Sequence, residues 1–303
     1  MNLRQISEFQ ELHNLQLLAF QIVEGFITGL HQSPYHGFSV EFAEHRIYNT
    51  GESTRFIDWK LFGKTDRLYT KKFEEETNLR CQIVIDTSSS MLFPDKDKFN
   101  KLAFSIYSAA SLINLLSRQR DAVGITLFDE QIQVSTDAKL NNVHLNFLYS
   151  RLQETLYNTK QYNKRTDVCK NLHHIAEMIH KRSLVVIFSD MFDNSNIDDI
   201  FNALQHLKHN KHEVIIFHVY DSKYEFNFNF ENRPYKFIDL ENGSEIKLNP
   251  NEIRDFVENK TKSFFNEIKM RAINYKIDFV QADINEPFKE VLIKFLLKRQ
   301  KLN

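Results

Sequence analysis

Asp86, Ser88 and Ser90 stand at i, i+2 and i+4, directly after the apolar run Ile83-Val84-Ile85. A carboxylate and two hydroxyls at this spacing converge where a chain turns sharply past a strand end. They then offer hard oxygens to one small cation, which suits Mg²⁺ with its near-octahedral demand and retained waters. In open α/β sheets ligands sit outside the carboxyl ends of the strands, where this loop would lie. The triplet alone is not specific, since ordinary residue usage produces it in on the order of one chain in ten of this length. The alternative is an Asx or Ser turn that ends a strand, with Asp86 accepting from local backbone N–H groups.

Two later segments supply further oxygens. Residues 183–190, Ser-Leu-Val-Val-Ile-Phe-Ser-Asp, are a second continuous apolar run that ends in a carboxylate, Asp190. Thr166 follows Arg165 and precedes a helical pattern at Val168, Leu172, Ile175, Ala176 and Ile179, as an N-cap or pre-helix hydroxyl. Asp86, Ser88, Ser90, Thr166 and Asp190 together make two carboxylates and three hydroxyls on three loops. Such a set binds a divalent ion modestly and leaves coordination positions for a partner's oxygen.

The order Asp-x-Ser-x-Ser, then Thr, then Asp resembles the metal-ion-dependent adhesion site of von Willebrand factor type A domains. The resemblance puts these five residues in metal-contacting roles, with Mg²⁺ first and Mn²⁺ or Ca²⁺ as alternatives, and implies that the ion helps bind a partner's carboxylate. A second resemblance lies upstream. Tyr48, Gly51, Glu52, Arg55, Ile57, Asp58 and Trp59, then Lys72, Phe73, Glu74 and Glu76, match in order the blocks of the bacterial "domain of unknown function 58" family. That family is similar to von Willebrand type A domains, and many members are encoded beside MoxR-type AAA+ ATPases. The resemblance covers about residues 12–220. It implies a cytoplasmic adaptor or chaperone-like role beside such an ATPase or its client. With no nucleophile elbow or Ser-His-Asp spacing in the sequence, the expected adaptor is non-enzymatic.

The elements that must position these loops read as α/β alternation. Helices are expected at Lys98–Ser117, Val143–Leu156, Asp198–Leu207, Asn251–Asn274 and Asn285–Lys298. Strands are expected at Ala122–Phe128, Gln131–Ser135, Glu213–Val219 and Lys276–Gln281. Apolar strands alternating with helices predict a mostly parallel, Rossmann-like sheet of von Willebrand type A kind, with helices on both faces. Residues 1–80 are expected as an N-terminal extension packed on the core, and 81–303 as the main domain. An inserted β-hairpin at about 221–250 is signalled by Asn242-Gly243 between Tyr235–Leu240 and Ser244–Leu248.

Composition excludes several classes. Only 7 glycines are present and no Gly-x-Gly-x-x-Gly or Walker-type run occurs, so phosphate-cradling loops are not expected. The formal net charge of −1 gives no field that would favour nucleic acid or an anionic membrane. The N-terminal apolar stretch is broken by Gln21 and Glu24, so it reads as a helix on the core through Leu12, Leu15, Ala19, Ile22 and Phe26, not as a secretion signal. No run long enough for a membrane span is seen, so stable insertion is not expected.

Cys81 and Cys169 fit a reducing compartment. Glu41, Glu44 and His45 lack a second histidine at helical spacing, and Arg55, Asp58 and Trp59 have a structural alternative as an ion pair beside a buried ring. Glu74, Glu75 and Glu76 beside Lys71 and Lys72 read as a solvated surface. The competing enzymatic reading is a phosphohydrolase using Asp86 and Asp190 with a metal. Its candidates for a general base are His173, His174 or Asp193.

Overall fold

The computed structural model describes residues 14–31, 45–47, 59–66, 68–71, 79–94, 99–158, 166–192, 197–287 and 293–295. Its helices and strands are, in chain order, α1 (Leu15–His31), β1 (His45–Ile47), α2 (Trp59–Thr65), β2 (Tyr69–Lys71), β3 (Arg80–Asp86), α3 (Lys101–Arg118), β4 (Ala122–Phe128), β5 (Ile132–Ser135), α4 (Asn142–Asn158), α5 (Val168–Met178), β6 (Leu184–Ser189), α6 (Ile197–His209), β7 (Glu213–Tyr220), β8 (Tyr235–Ile238), β9 (Glu245–Leu248), α7 (Pro250–Asn274) and β10 (Asp278–Asp283). Contacts divide the chain into two units, Met1–Ile27 with Leu79–Asn303, and Thr28–Asn78. In the smaller unit β1 and β2 pair antiparallel, His45 opposite Lys71. Glu41, Glu44, Tyr48, Gly51, Glu52, Arg55, Ile57, Asp58, Lys72, Phe73, Glu74, Glu75, Glu76 and Asp193, with the side chains of His45, Trp59 and Lys71, lie outside the described residues.

The larger unit is built on a six-stranded sheet in the order β10-β7-β6-β3-β4-β5. Every neighbouring pair is parallel except β4–β5. Counted within the sheet, this is the doubly wound order 3-2-1-4-5-6, whose reversal lies between β3 and β6. The fold is therefore the expected mostly parallel, von Willebrand type A-like α/β arrangement.

The pleat explains the continuous apolar runs. Val84, Val185, Ile187 and Ile216 join Leu172, Leu204 and Ile268 of α5, α6 and α7 in one buried cluster. Their neighbours Ile83, Ile85 and Val186 are also fully buried. On a strand these alternate residues face the opposite side, where α3 packs on β3 and β4. Asn100 caps α3, its side chain accepting from Ala103 N at 2.8 Å. On α1, Leu15, Leu18, Ala19, Ile22 and Val23 are buried at the expected helical spacing, and Glu24 pairs with Arg118 at 2.8 Å.

Several elements differ from the sequence reading by a few residues at their ends, and three differ in a way with a clear physical reason. The last strand begins at Asp278, because Lys276 takes a left-handed φ of 55° and Ile277 N donates to Ala272 O, so these residues finish the turn after α7. Asn285 lies in a turn, not in a helix; beyond it, residues 293–295 are helical. The residues opening the supposed insertion, Ser222–Phe226, form a wide helical turn capped by Asp221, which accepts from Lys223 N at 2.7 Å and Tyr224 N at 3.1 Å. The hairpin β8–β9 is as expected, with Gly243 at φ 74° in its loop.

Gly124 on β4 is required by close approach. A Cβ there would meet Gln82 Oε1 at 2.5 Å and Thr136 O at 2.6 Å. Gln82 is itself held by Thr126 Oγ1 at 2.9 Å and by Thr136 O at 3.2 Å. Gly124→Ala is expected to destabilise by about 1–3 kcal/mol in urea unfolding. An unchanged midpoint would show that β4 and its neighbours yield freely.

Candidate functional site

β3 and β6 are parallel neighbours and end together at the sheet reversal, Ile85 opposite Phe188. Asp86 closes β3 and Asp190 follows β6 directly, so both carboxylates emerge at the same edge. Past Asp86 the chain tightens into a 3₁₀ turn, Ser89–Leu92. The turn brings the hydroxyls of Ser88 and Ser90 to 3.0 Å from each other. Ser88 N donates to Asp86 Oδ1 at 3.0 Å. This is the local Asx contact of the turn alternative, and it engages only one of the two carboxylate oxygens.

Thr166 comes to the same edge by a different route. The N-cap of α5 is Asp167, whose side chain accepts from Lys170 N at 2.9 Å; Thr166 precedes it. Asn171 ties this loop to the end of β4, donating to Asp129 O at 2.9 Å and to Asp167 O at 2.8 Å. Thr166 is 5% exposed, and its Oγ1 is buried with no hydrogen-bond partner. A buried hydroxyl without a partner costs of the order of 1–3 kcal/mol, so it normally has an acceptor, a donor or a cation to face.

Three residues that sequence reasoning missed complete the arrangement. Lys101 is only 1% exposed, and its Nζ lies 2.7 Å from Asp190 Oδ2 and 2.6 Å from Glu225 Oε1. It sits at the first residue of α3, where the helix dipole disfavours a cation. The two carboxylates hold it there. They raise its ammonium above the ordinary lysine range even though burial acts the other way. Glu225 comes from the Ser222–Phe226 turn, and its second oxygen accepts from Asp221 N at 2.7 Å. Burial pushes its carboxyl up, and Lys101 offsets that only in part. Ser189 bridges the two strand ends, donating to Asp86 Oδ2 at 2.9 Å and accepting from Met191 N at 2.9 Å.

The polar groups of Asp190 are therefore engaged: Oδ2 with Lys101, Oδ1 with Phe192 N at 3.1 Å, and its carbonyl with His218 Nε2 at 2.9 Å. Burial lowers His218 to about 4, so the ring is neutral and Nε2–H is the donor. Asp86 is fully buried and, among the described residues, has no cationic contact. Burial, and then the charge of Asp190, push its carboxyl up to about 7. When all three ionise, the carboxylates carry more negative charge than the one ammonium offsets, which adds to burial in making Asp86 hold its proton until a cation faces it. Asp86, Ser88, Ser90, Thr166 and Asp190 provide oxygen donors only, and the unpartnered Thr166 hydroxyl belongs to the loop that Asn171 ties to the end of β4. The donor set fits a hard divalent ion. Among the described residues no cluster of three or more His, Cys, Asp or Glu has metal-binding geometry, so any such ion would depend on the hydroxyls.

Other sequence candidates lie elsewhere. His173 on α5 faces α6, with Nδ1 3.2 Å from Nδ1 of His206. Cys169 is half-buried in the first turn of α5, its Sγ 3.3 Å from Asp199 O. Among the described residues no helix is long and apolar enough to cross a membrane.

Comparison with known proteins finds relatives without naming an activity. An uncharacterized protein of Mycobacterium tuberculosis H37Rv, Rv1480, is 22% identical over 218 residues, and Mb1516 of Mycobacterium bovis matches equally. The aligned region covers 70% of this chain, which spans 65% of the length of these curated relatives. Among solved structures, the conserved hypothetical protein BatB from Bacteroides thetaiotaomicron covers 74% of this chain at 15% identity and a TM-score of 0.45, and the whole of BatB is covered. An aerotolerance-related membrane protein from Bacteroides fragilis covers 72% at 14% identity and a TM-score of 0.43, with 99% of that chain covered. Residues 44–263 match the family described as "Protein of unknown function DUF58", so this chain belongs to that family.

Proposed function

We propose that this protein is a non-enzymatic, metal-dependent adaptor that binds a protein partner through the carboxyl-end face of its sheet. Asp86, Ser88, Ser90, Thr166 and Asp190 would hold one divalent cation, Mg²⁺ in the first instance, with Mn²⁺ or Ca²⁺ as alternatives. The ion when bound would supply a positive centre for a carboxylate of the partner. The chain's own residues do the rest. Lys101 and Glu225 fix Asp190, Ser189 couples Asp86 to the end of β6, and the 3₁₀ turn presents the serine hydroxyls. The observation that carries this reading is the buried, unpartnered hydroxyl of Thr166, on a loop tied to the end of β4, the strand that pairs with the end of β3 at Asp86.

A MoxR-type AAA+ ATPase, or a client that it remodels, is the proposed partner, and the cytoplasm the proposed site of action; both rest on the resemblance described above. Capture of a purified MoxR-type ATPase should require wild-type protein in Mg²⁺, and should fail with Asp86→Ala and with wild type in chelator. Equal capture under all three conditions would move the binding surface away from these loops. Turnover of p-nitrophenyl phosphate that requires Mg²⁺ and Asp86 would favour the phosphohydrolase reading instead.

A further inference from the structure

A cleft of about 660 Å³ opens beside the candidate site. Its apolar walls are Phe93, Phe99, Tyr224, Phe230 and Tyr235, and Lys223, Asn229, Glu231 and Arg233 add polar groups. It is continuous with the oxygen-bearing loops at two points. Phe93 N donates to Ser90 O at 3.2 Å, so one wall is the direct continuation of the serine turn. Tyr224 precedes Glu225, which Lys101 ties to Asp190. The ring of Phe93 meets that of Tyr224 edge-on at 6.3 Å, and Lys101 Nζ lies 5.8 Å from the centre of Phe93.

The aromatic walls brace one another. Tyr224 and Tyr235 pack on Phe230 at 5.0 and 5.4 Å. Two exposed cations lie over this aromatic floor, Lys223 over Tyr224 at 4.6 Å and Arg233 over Tyr235 at 4.9 Å. Arg233 also pairs with Glu231 at 3.1 Å, and Glu231 lines the cleft too, so the two lining cations exceed the one lining carboxylate by a single charge. Flat ring faces with cations above them suit a side chain that is apolar in body and flanked by negative charge.

We infer that this cleft is the second half of the partner-binding surface, and that it takes an extended acidic segment of a protein partner, with an aromatic residue set among its Phe and Tyr walls. The inference rests on the reading of the neighbouring loops as a carboxylate-binding metal face, and it names the chemistry of the segment that reaches them. One acidic side chain of the segment goes to the loops. The following residues run past Phe93 into the cleft, where a further acidic side chain meets Lys223. Extended peptides bind such clefts through alternate side chains, one set anchored and the other solvated.

The test uses the full chain and a library of short random peptides displayed singly and selected in Mg²⁺. The recovered peptides are expected to pair acidic with aromatic residues. A synthetic copy of the consensus should bind at least about tenfold more weakly to Lys223→Glu and to Arg233→Glu, both exposed and compatible with folding. Replacing its flanking acidic residue by lysine should restore binding to Lys223→Glu. Recovery of no peptides, recovery of basic ones, or indifference to both charge reversals would overturn the inference. The two readings fail differently. Loss on Lys223→Glu with full binding in chelator and to Asp86→Ala keeps the cleft and removes the metal. Loss only in chelator and with Asp86→Ala keeps the metal and removes the cleft.

Discussion

Lys101→Met is expected to cost about 3–5 kcal/mol of folding stability, the largest loss of any single substitution at the candidate site. Methionine keeps the length of the side chain and its packing near Phe93 and Phe192. It leaves Asp190, which is fully buried, and Glu225 facing each other without the ammonium that now lies between them. Breaking a buried pair by removing one partner costs more than replacing the whole pair, because a desolvated charge is stranded. Adding Glu225→Gln to Lys101→Met should therefore recover part of the loss. Urea unfolding near neutral pH measures both. A Lys101→Met midpoint equal to wild type would show that the lysine contributes nothing at this position.

Asp86→Asn should change how stability depends on pH when no metal is present. The folded-state pKa of Asp86 is about 7 against an ordinary 3.8, so between these values the folded chain holds a proton that the unfolded chain has released. Its contribution is fully present below about 3.8 and is lost as pH rises through about 7. At about 1.4 kcal/mol per unit, the ionised wild type gives up a few kcal/mol. Asparagine cannot ionise, and it can still accept from Ser88 N and bond to the Ser189 hydroxyl.

His218 acts with the opposite sign. Its pKa is lowered from 6.5 to about 4, so stability is present above 6.5 and lost as pH falls through about 4. From about 4 to 6.5 the two groups oppose each other in the wild type. The expected result is a nearly flat contribution from this site in wild type over that range, followed by a decline toward pH 7. Asp86→Asn should instead rise over the same range and be more stable than wild type at pH 8 by a few kcal/mol. Thermal melts in chelator across this range check it. Parallel curves would mean that Asp86 ionises as a solvated carboxylate does.

Much of this architecture is legible in the residues. β3 and β6 are buried on both faces, so each appears as an unbroken apolar run with a carboxylate at or just past its end. β4 and β5 form the expected hairpin, but its loop is residues 129–131, one residue longer than the Asp129-Glu130 turn that the spacing suggests, with a register shift between Leu127 and Phe128. β10 is an edge strand carrying Gln281 and Asp283, and polar residues on an edge blur the end of the run. The five oxygen-bearing residues could be found because their order survives in one dimension. Lys101 and Glu225 are 124 residues apart, and no local period links them.

A signal for the lysine did exist. Lys101, Ser105 and Ser108 recur at helical spacing on a face of α3 that is wholly buried. A lysine in line with small polar residues on a packed face implies a buried counter-charge. The N-cap of α5 shows the limit of local reading. Thr166 and Asp167 both suit a cap, and the tie from Asn171 to Asp129 and Asp167 sets the position of the loop. Asp167 takes the cap, and the Thr166 hydroxyl is left free of any hydrogen bond.

The most direct test of the central claim is calorimetric titration of the metal-free chain with Mg²⁺, repeated with Mn²⁺, for wild type, Asp86→Ala and Thr166→Val. Thr166→Val keeps the shape of the side chain and removes only the unpartnered hydroxyl. A one-site isotherm in wild type, abolished by Asp86→Ala and weakened about tenfold or more by Thr166→Val, is the result expected of a divalent centre built from these oxygens. No binding in wild type, or an isotherm that neither substitution alters, would contradict it.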